Sequence, residues 1–330
     1  MTAFVTAHLA SSGARDPALH SARQWLVGQR FAGSGWGYGG EVPADADSTA
    51  WCLIALGGSG LLDGEARGEA ADFLAAHQTA AGTATYLEDG RIRDYIRADA
   101  DLSLEGWTNA HDDVTAAALL ADVPPRGSEA AREALARLLR RQSGAGLWDA
   151  YWWRGPWYTT ALLLRALDQA GLRPPADVGR RIVHALEREK LADGGFGLGA
   201  SGDPDPFTTA LALECHCRLA RLGMDEARER TLAALLALQG PDGSWPGAYV
   251  LRIPAPDVVE PRHVSNWSLG SGGGNSFVLD DGGLFATALA CFALNATLGV
   301  GSQAADAPVL EPATDEPVSS DDDVITVARD

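Results

Sequence analysis

The sequence predicts an all-α chain wound into an α/α toroid (barrel) of five to six helix pairs, in an inner and an outer helix layer. Three observations carry this. A short signature recurs five times, at Ser48-Thr49-Ala50, Val114-Thr115-Ala116, Thr159-Thr160-Ala161, Thr208-Thr209-Ala210 and Ala286-Thr287-Ala288. Each copy opens a run that is apolar on nearly every side, such as Trp51-Cys52-Leu53-Ile54-Ala55-Leu56, the mark of a buried helix. Between the copies lie amphipathic runs, at 128–141, 176–189 and 225–238, with Arg and Glu on one face and Leu or Ala on the other.

The elements follow in order. Residues 2–12 offer a sixth inner helix that could close the ring. Glycine-aromatic turns then punctuate the chain at Gly35-Trp36, Gly146-Leu147-Trp148, Gly194-Gly195-Phe196 and Gly243-Ser244-Trp245. Glycine permits the left-handed turn that ends a helix. Gln precedes the turn at Gln29, Gln142 and Gln239. The second repeat, around Gln78 and Gly82-Thr83-Ala84-Thr85-Tyr86, is degenerate. Long insertions at 87–110 and 246–283 precede two inner helices, and loops of that length tend to be functional. Residues 1–300 read as one toroid domain. Residues 301–330 hold eight acidic residues and one Arg, and read as a disordered acidic tail.

Composition narrows the function classes. With 46 % hydrophobic and 21 % charged residues, a sizeable core forms. A net charge of −18 argues against nucleic-acid or anionic-membrane binding, which needs a basic face. Ten Trp against eight Phe is an unusual ratio that calls for an explanation. Cys52, Cys215, Cys217 and Cys291 sit in apolar runs, match no zinc or disulfide spacing, and read as core residues of a reduced, cytoplasmic protein. The start of the chain lacks the features of a signal peptide, and no uninterrupted apolar stretch is long enough to span a membrane.

Two residues before each repeat threonine stand Asp47, Asp113, Tyr158, Phe207 and Phe285. In a toroid these positions share one end of the inner ring. Two carboxylates would then face an arc of aromatic rings, with Trp36, Tyr38, Trp51, Trp107 and Trp157 nearby. Such a site suits cation chemistry. A carboxylic acid kept neutral by its surroundings can act as a general acid, and like-charged neighbours Asp45 and Asp113 raise the proton affinity of Asp47. Aromatic faces stabilise the cation that results. Plainer roles compete: Asp is a favoured helix N-cap, Ser48, Thr159 and Thr208 can also cap, and Trp148 and Trp245 can clamp adjacent repeats. His184 and His216 read as surface or core residues, and Gly272-Gly273-Gly274-Asn275 as a flexible loop.

The alternation, the turns and Asp45-Ala46-Asp47-Ser48-Thr49-Ala50 together resemble the squalene–hopene cyclases and their relatives, the class II terpene cyclases. That motif is similar to the family's Asp-x-Asp-Asp-Thr-Ala acid motif, and Asp112-Asp113-Val114-Thr115-Ala116 is similar to its next repeat. The resemblance spans about 18–299 and covers the acid-bearing barrel alone. It implies an enzyme of the isomerase or lyase type, in which Asp47, assisted by Asp45 and Asp113, protonates an alkene or epoxide of an isoprenoid and so cyclises it. Combined with the toroid reading, Trp36, Tyr38, Trp51, His111, Trp157, Tyr158, Phe207 and Phe285 are expected around the substrate. The resemblance implies no cofactor, with Mg only if the substrate carries a diphosphate. Arg91, Arg93 and Arg97 are the nearest cations for one, though they also read as a solvated loop. The resemblance also implies a partner protein in place of the family's second barrel. Two departures stand out. Ser48 replaces the fourth-position acid, and Ala117 occupies the place of the family's His, for which His111 is a candidate substitute. The zinc ligands of the related protein prenyltransferases would fall at Asp205, Phe207 and Ala286, so two of three are lost and no metal is expected. Two other classes fit the residues: a toroid that binds a hydrophobic ligand or partner without catalysis, and a carbohydrate-active barrel using paired carboxylates.

Overall fold

The computed structural model describes residues 1–330 other than 15, 33, 90, 199–201, 225–226, 271–273, 300–306 and 311–330. Along the chain run α1 (Thr2–Ser11), α2 (Pro17–Gly28), α3 (Ala46–Leu56) and α4 (Gly64–Ala76). A first insertion carries α5 (Arg91–Ile96) and α6 (Glu105–Thr108), followed by α7 (Asp112–Leu120), α8 (Glu129–Arg140), α9 (Trp157–Gln169) and α10 (Ala176–Glu189). Then come α11 (Pro206–Arg221), α12 (Arg228–Ala237) and α13 (Leu284–Leu298).

Six of these, α1, α3, α7, α9, α11 and α13, form a closed inner ring in which each packs on the next and α13 returns to α1. The outer helices α2, α4, α8, α10 and α12 pack on the ring from outside. The toroid expected from the sequence is therefore present, with α1 as the sixth inner helix. Residues near the N-terminus of one inner helix meet their counterparts on others: Phe4 meets Tyr158, Phe207 and Phe285. Residues further along also meet: His8, about one turn beyond Phe4, contacts Arg165 and Phe292, each about two turns beyond Tyr158 and Phe285. The inner helices thus run parallel. The alanine of each signature is 0–1 % exposed, which lets neighbouring helices approach closely.

The repeated threonine has a mechanical role. Thr49 Oγ1 accepts from the Trp36 amide at 3.0 Å and donates to the Trp36 carbonyl. Thr209 treats Phe196 the same way, Thr160 accepts from Trp148, and Thr287 from Trp245. In the degenerate repeat Thr115 accepts from Thr83. The hydroxyl staples each turn to the inner helix that follows it. The tryptophan then ties the turn to the preceding outer helix, with Trp36, Trp148 and Trp245 donating Nε1–H to Leu26, Leu138 and Leu235 carbonyls. At Gly35 a Cβ would sit 2.0 Å from Thr49 Oγ1, so this staple demands glycine.

The insertions are not simple loops. β1 (Gln78–Thr79), β2 (Gly82–Ala84) and β3 (Ala110–His111) form one small sheet flanking the first insertion. β4 (Tyr249–Ile253), β5 (Ser268–Leu269) and β6 (Ser276–Leu279) form another within the second. The two insertions meet: Trp107 Nε1 donates to the Pro254 carbonyl at 3.0 Å.

The opposite end of the barrel is closed by charge. Arg165 holds Glu214 through two hydrogen bonds of 2.9 and 2.7 Å, and Arg218 adds a third at 2.9 Å. Burial alone would raise the Glu214 pKa, but the two guanidiniums overcome it and hold it at about 2. Arg165 also donates to His8 Nε2, so His8 carries its proton on Nδ1 and donates to the Phe4 carbonyl.

One helical stretch, Asp281–Leu298, is long and apolar enough to cross a membrane, but its helix α13 packs against α1 and α11 in the ring. All four cysteines are free thiols. Within 301–330, the described residues 307–310 lie against the barrel, where Val309 pairs with Arg173 and Leu310 is buried. The rest of that expected tail lies outside the described residues, as do the starting residues of the 225–238 run.

Thr209→Val preserves shape while leaving the buried Phe196 amide without its acceptor. Stability should fall by about 1–3 kcal/mol in denaturant unfolding. An unchanged midpoint would show that the staple contributes nothing.

Candidate active site

A cavity of about 310 Å³ opens at the end where the inner helices begin. Its wall includes Phe4 of α1, Asp45, Asp47, Trp51 and Cys52 in and before α3, and Phe285 of α13. Tyr86 stands just before the first insertion, which contributes Ile92, Tyr95 and Trp107, and the second contributes Leu251, Arg252 and Ile253. Trp152 and Trp153, ahead of α9, complete the wall. Trp25, Tyr38 and Tyr95 line the mouth and are 46–54 % exposed.

The three aspartates have different surroundings. Asp45, not Asp47, caps α3: its Oδ1 accepts from the Ser48 amide at 2.7 Å. Asp45 is 3 % exposed and its Oδ2 has no partner. Burial pushes its pKa up to about 6, against the pull of the Ser48 hydrogen bonds. Asp113 is 1 % exposed, and its Oδ2 accepts from the amides of Tyr151 and Trp152 at 3.0 and 3.1 Å. Burial again dominates and raises its pKa to about 6.

Asp47 stands in the first turn of α3 and lines the cavity. Relieved of capping, its carboxyl has no hydrogen-bond partner among the described residues. Its pKa lies well above the ordinary carboxylate value, through burial first, then the charge of Asp45, then that of Asp113. A half-buried, unpaired carboxyl that favours its neutral form is poised to give a proton to whatever occupies the cavity.

The wall opposite is a short segment clamped from both sides. Asp113 takes the Tyr151 and Trp152 amides, while Arg252 donates to the Ala150 and Tyr151 carbonyls. Arg252 N donates to the Trp152 carbonyl at 2.8 Å and Arg154 N to that of Val250 at 2.8 Å. Trp152 is fixed further by its side chain. Its Nε1–H donates to Thr85 Oγ1 at 2.7 Å, the Thr85 hydroxyl donates to His111 Nδ1, and His111 Nε2–H donates to the Gly106 carbonyl.

The sequence-derived site residues therefore divide. Asp45, Asp47, Trp36, Tyr38, Trp51 and Phe285 line the cavity. Tyr158 and Phe207 lie beneath Trp153, which stacks on both with centroids at 4.2 and 5.3 Å. Trp157 turns away, with Nε1 donating to Glu189 and its ring against Phe196. His111 has both nitrogens engaged by Thr85 and Gly106, and burial lowers its pKa to about 3, so it is a neutral support of the wall rather than a partner of Asp47. Arg91 pairs with Asp89, and Arg93 donates to the Asp99 and Leu102 carbonyls, so both brace their own insertion. Trp152, Trp153 and Phe4 were missed by the sequence reading. The run Tyr151-Trp152-Trp153 just ahead of an inner helix was the available signal for two of them. Among the described residues no group of three or more His, Cys, Asp or Glu is placed to hold a metal. Asp205 caps α11, with Oδ1 accepting from the Thr208 amide, and Phe207 and Ala286 are core residues.

No model of a known protein family matches the sequence. Among solved structures, the type II terpene cyclase MstE from Scytonema superposes with a TM-score of 0.76 and 29 % identity, over 91 % of this chain and 88 % of that one. A variant of the same enzyme with geranylgeranyl dihydroxybenzoate as substrate gives 0.75 and 29 %, over 91 % and 87 %. The ent-copalyl diphosphate synthase of Streptomyces platensis gives 0.61 and 20 %, over 90 % of this chain and 50 % of that one, a likeness of fold alone. Among curated proteins, labda-7,13-dienyl diphosphate synthase of Streptomyces clavuligerus is 31 % identical over 78 residues, so the match spans 23 % of this chain and 14 % of that enzyme. The resemblance to class II terpene cyclases holds over nine-tenths of the chain.

The raised carboxyl pKa values give stability a definite pH dependence. Asp45 and Asp113 bind protons more tightly in the folded chain than their ordinary value of 3.8 allows. Their contribution is complete below about pH 3.8 and is lost as pH rises through about 6. The melting temperature of Asp113→Asn should therefore fall less than that of the parent between about pH 4 and 7. Identical slopes would mean that Asp113 ionises freely in the fold.

Proposed function

We propose that this chain, built on the class II terpene cyclase plan, cyclises an isoprenoid by protonating it, with Asp47 as the acid. The observation that carries the reading is the Asp47 carboxyl, free of hydrogen bonds among the described residues and held toward its neutral form in a cavity walled by aromatic rings. The π electrons of a terminal alkene, or an oxygen lone pair of an epoxide, take the Asp47 proton. A new C–H or O–H bond forms and Asp47 is left as carboxylate. The next alkene attacks the electron-deficient carbon, so each ring closure moves the positive charge along the chain. Loss of a proton from the last cation to water ends the sequence, and Asp47 regains a proton from solvent, so protons balance over the cycle. Starting from an alkene, the conversion is an isomerisation that consumes no oxidant or reductant.

The surroundings suit each step. Indole and phenyl faces of Trp51, Trp107, Trp152, Trp153 and Phe285 offer their quadrupoles to the moving charge, each worth about 2 kcal/mol when desolvated. The apolar rim supplied by the two insertions keeps water from trapping the cation early. Asp113 acts through others: it pins the Tyr151 and Trp152 amides in the segment that carries both indoles and adds its charge to the field at Asp47. Since MstE binds geranylgeranyl dihydroxybenzoate, an isoprenoid on an aromatic head group is the first substrate class to supply. A diphosphate-bearing substrate would call for Mg, and a partner protein could supply a second barrel. The free cysteines accord with a reducing, cytoplasmic setting.

Asp47→Asn keeps the size of the side chain and leaves the Asp45 cap untouched. Turnover of a cyclisable isoprenoid should fall at least about 100-fold with the fold intact. Asp113→Asn should be milder and alter the product mixture. Undiminished turnover in Asp47→Asn, followed by mass spectrometry, would remove Asp47 from the acid role.

A further inference from the structure

The six positions two residues ahead of a repeat threonine are Phe4, Asp47, Asp113, Tyr158, Phe207 and Phe285, one from each inner helix. They share one level of the barrel, yet the cavity reaches only three of them, Phe4, Asp47 and Phe285. These belong to α1, α3 and α13, neighbours in the ring. The other three belong to α7, α9 and α11 and are roofed by the clamped segment 150–153. Trp153 is the part of that roof that covers aromatic surface. Its indole is 4 % exposed, lies parallel to Phe207 at an interplanar angle of 1°, stacks on Tyr158, and meets Phe4 at 5.1 Å and Phe285 at 5.5 Å.

We propose that Trp153 is a partition that sets the length of isoprenoid the cavity accepts, confining the chain to the α1–α3–α13 side of the barrel. The proposal rests on the cyclase reading for the identity of the ligand. Behind the partition, Tyr158 and Phe207 present the aromatic surface that an elongated chain would reach if the indole were removed. Trp153 arises from a loop rather than from an inner helix. Its backbone pairs with Leu251, and Asp113 and Arg252 hold the residues just before it, Tyr151 and Trp152, so its side chain can be shortened while its own segment remains anchored.

The test uses phenols bearing geranyl, farnesyl or geranylgeranyl chains, together with their fully hydrogenated counterparts. The hydrogenated set cannot be protonated, so its binding, read by calorimetry, reports cavity length whether or not the chain is a cyclase. In the parent protein affinity should rise with chain length up to a cut-off. In Trp153→Leu and Trp153→Ala the cut-off should move at least one isoprene unit longer, with at least about tenfold tighter binding of the first chain beyond the old limit. Phe4→Leu, which thins the adjoining floor from α1, should move it in the same direction. Trp148→Phe loosens the same barrel away from the cavity and should leave the cut-off in place. The proposal is overturned if folded Trp153 variants keep the parental cut-off, if Trp148→Phe shifts it equally, or if the parent shows no dependence on chain length. Failure of the cyclase reading shows separately, as intact binding of the hydrogenated set with no conversion of the unsaturated one.

Discussion

Every inner helix begins at the same end of the barrel, and the chemistry of that end follows from it. The first turn of a helix leaves amide N–H groups without partners and a partial positive charge. Brought together in a ring, these turns need acceptors in an otherwise apolar place. Asp45 and Asp205 supply them from N-cap positions, and Asp280 accepts from the Phe285 and Ala286 amides. Acidic side chains are thus drawn, for structural reasons alone, to the end of the barrel where the cavity opens, and Asp45 among them lines it. At the other end, where helix carbonyls gather, the buried groups are Arg165 and Arg218, with Glu214 to satisfy them.

Asp47 feels two opposed influences. Burial and the neighbouring carboxyls favour its neutral form. The first turn of α3, into which it is built, favours the carboxylate. In the role we propose for Asp47, protonating so weak a base as an alkene, both influences are of use. The proton is retained in the resting state, and the anion left behind lies in a favourable field. Because Asp45 caps the helix, Asp47 need not, and this division of labour between two acids two residues apart leaves one free. The opposing wall is organised on the same economy: Asp113 and Arg252 grip the two edges of one peptide segment and so fix two indoles.

The fold was legible because its repeat is chemical as well as spatial. A hydroxyl that must reach a turn amide, a glycine that must make room for it and an alanine that lets helices close in leave a pattern that survives divergence of the rest. The degenerate second repeat still keeps Thr115. The sixth repeat was also written in the sequence, as Phe4-Val5-Thr6-Ala7, but without a glycine-aromatic turn ahead of it the pattern is too short to stand out. Asp47 was legible through its motif. Trp157 does not reach the cavity because it precedes Tyr158 by one residue on α9 and so points to another side of the helix, toward Glu189 and Phe196. The segment 150–153 is what leaves Tyr158 and Phe207 at the right height yet out of reach. The insertions, with their short strands, were unreadable because their form depends on contacts between segments far apart in sequence, such as Trp107 with Pro254.

Closure of the ring by α1 against α13 sets this molecule apart from open repeat arrays. In an open stack each unit rests on its neighbours alone, so order can spread from any point and the ends can fray without consequence to the middle. A closed ring has no ends. Its last interface joins the two most distant parts of the sequence, at the largest loop-closure entropy the chain can incur. Phe4, on one side of that seam, stands in the middle of the aromatic cluster, so the wall of the cavity is complete only where the ring is closed. An unclosed barrel would have nowhere to hold a reactive cation.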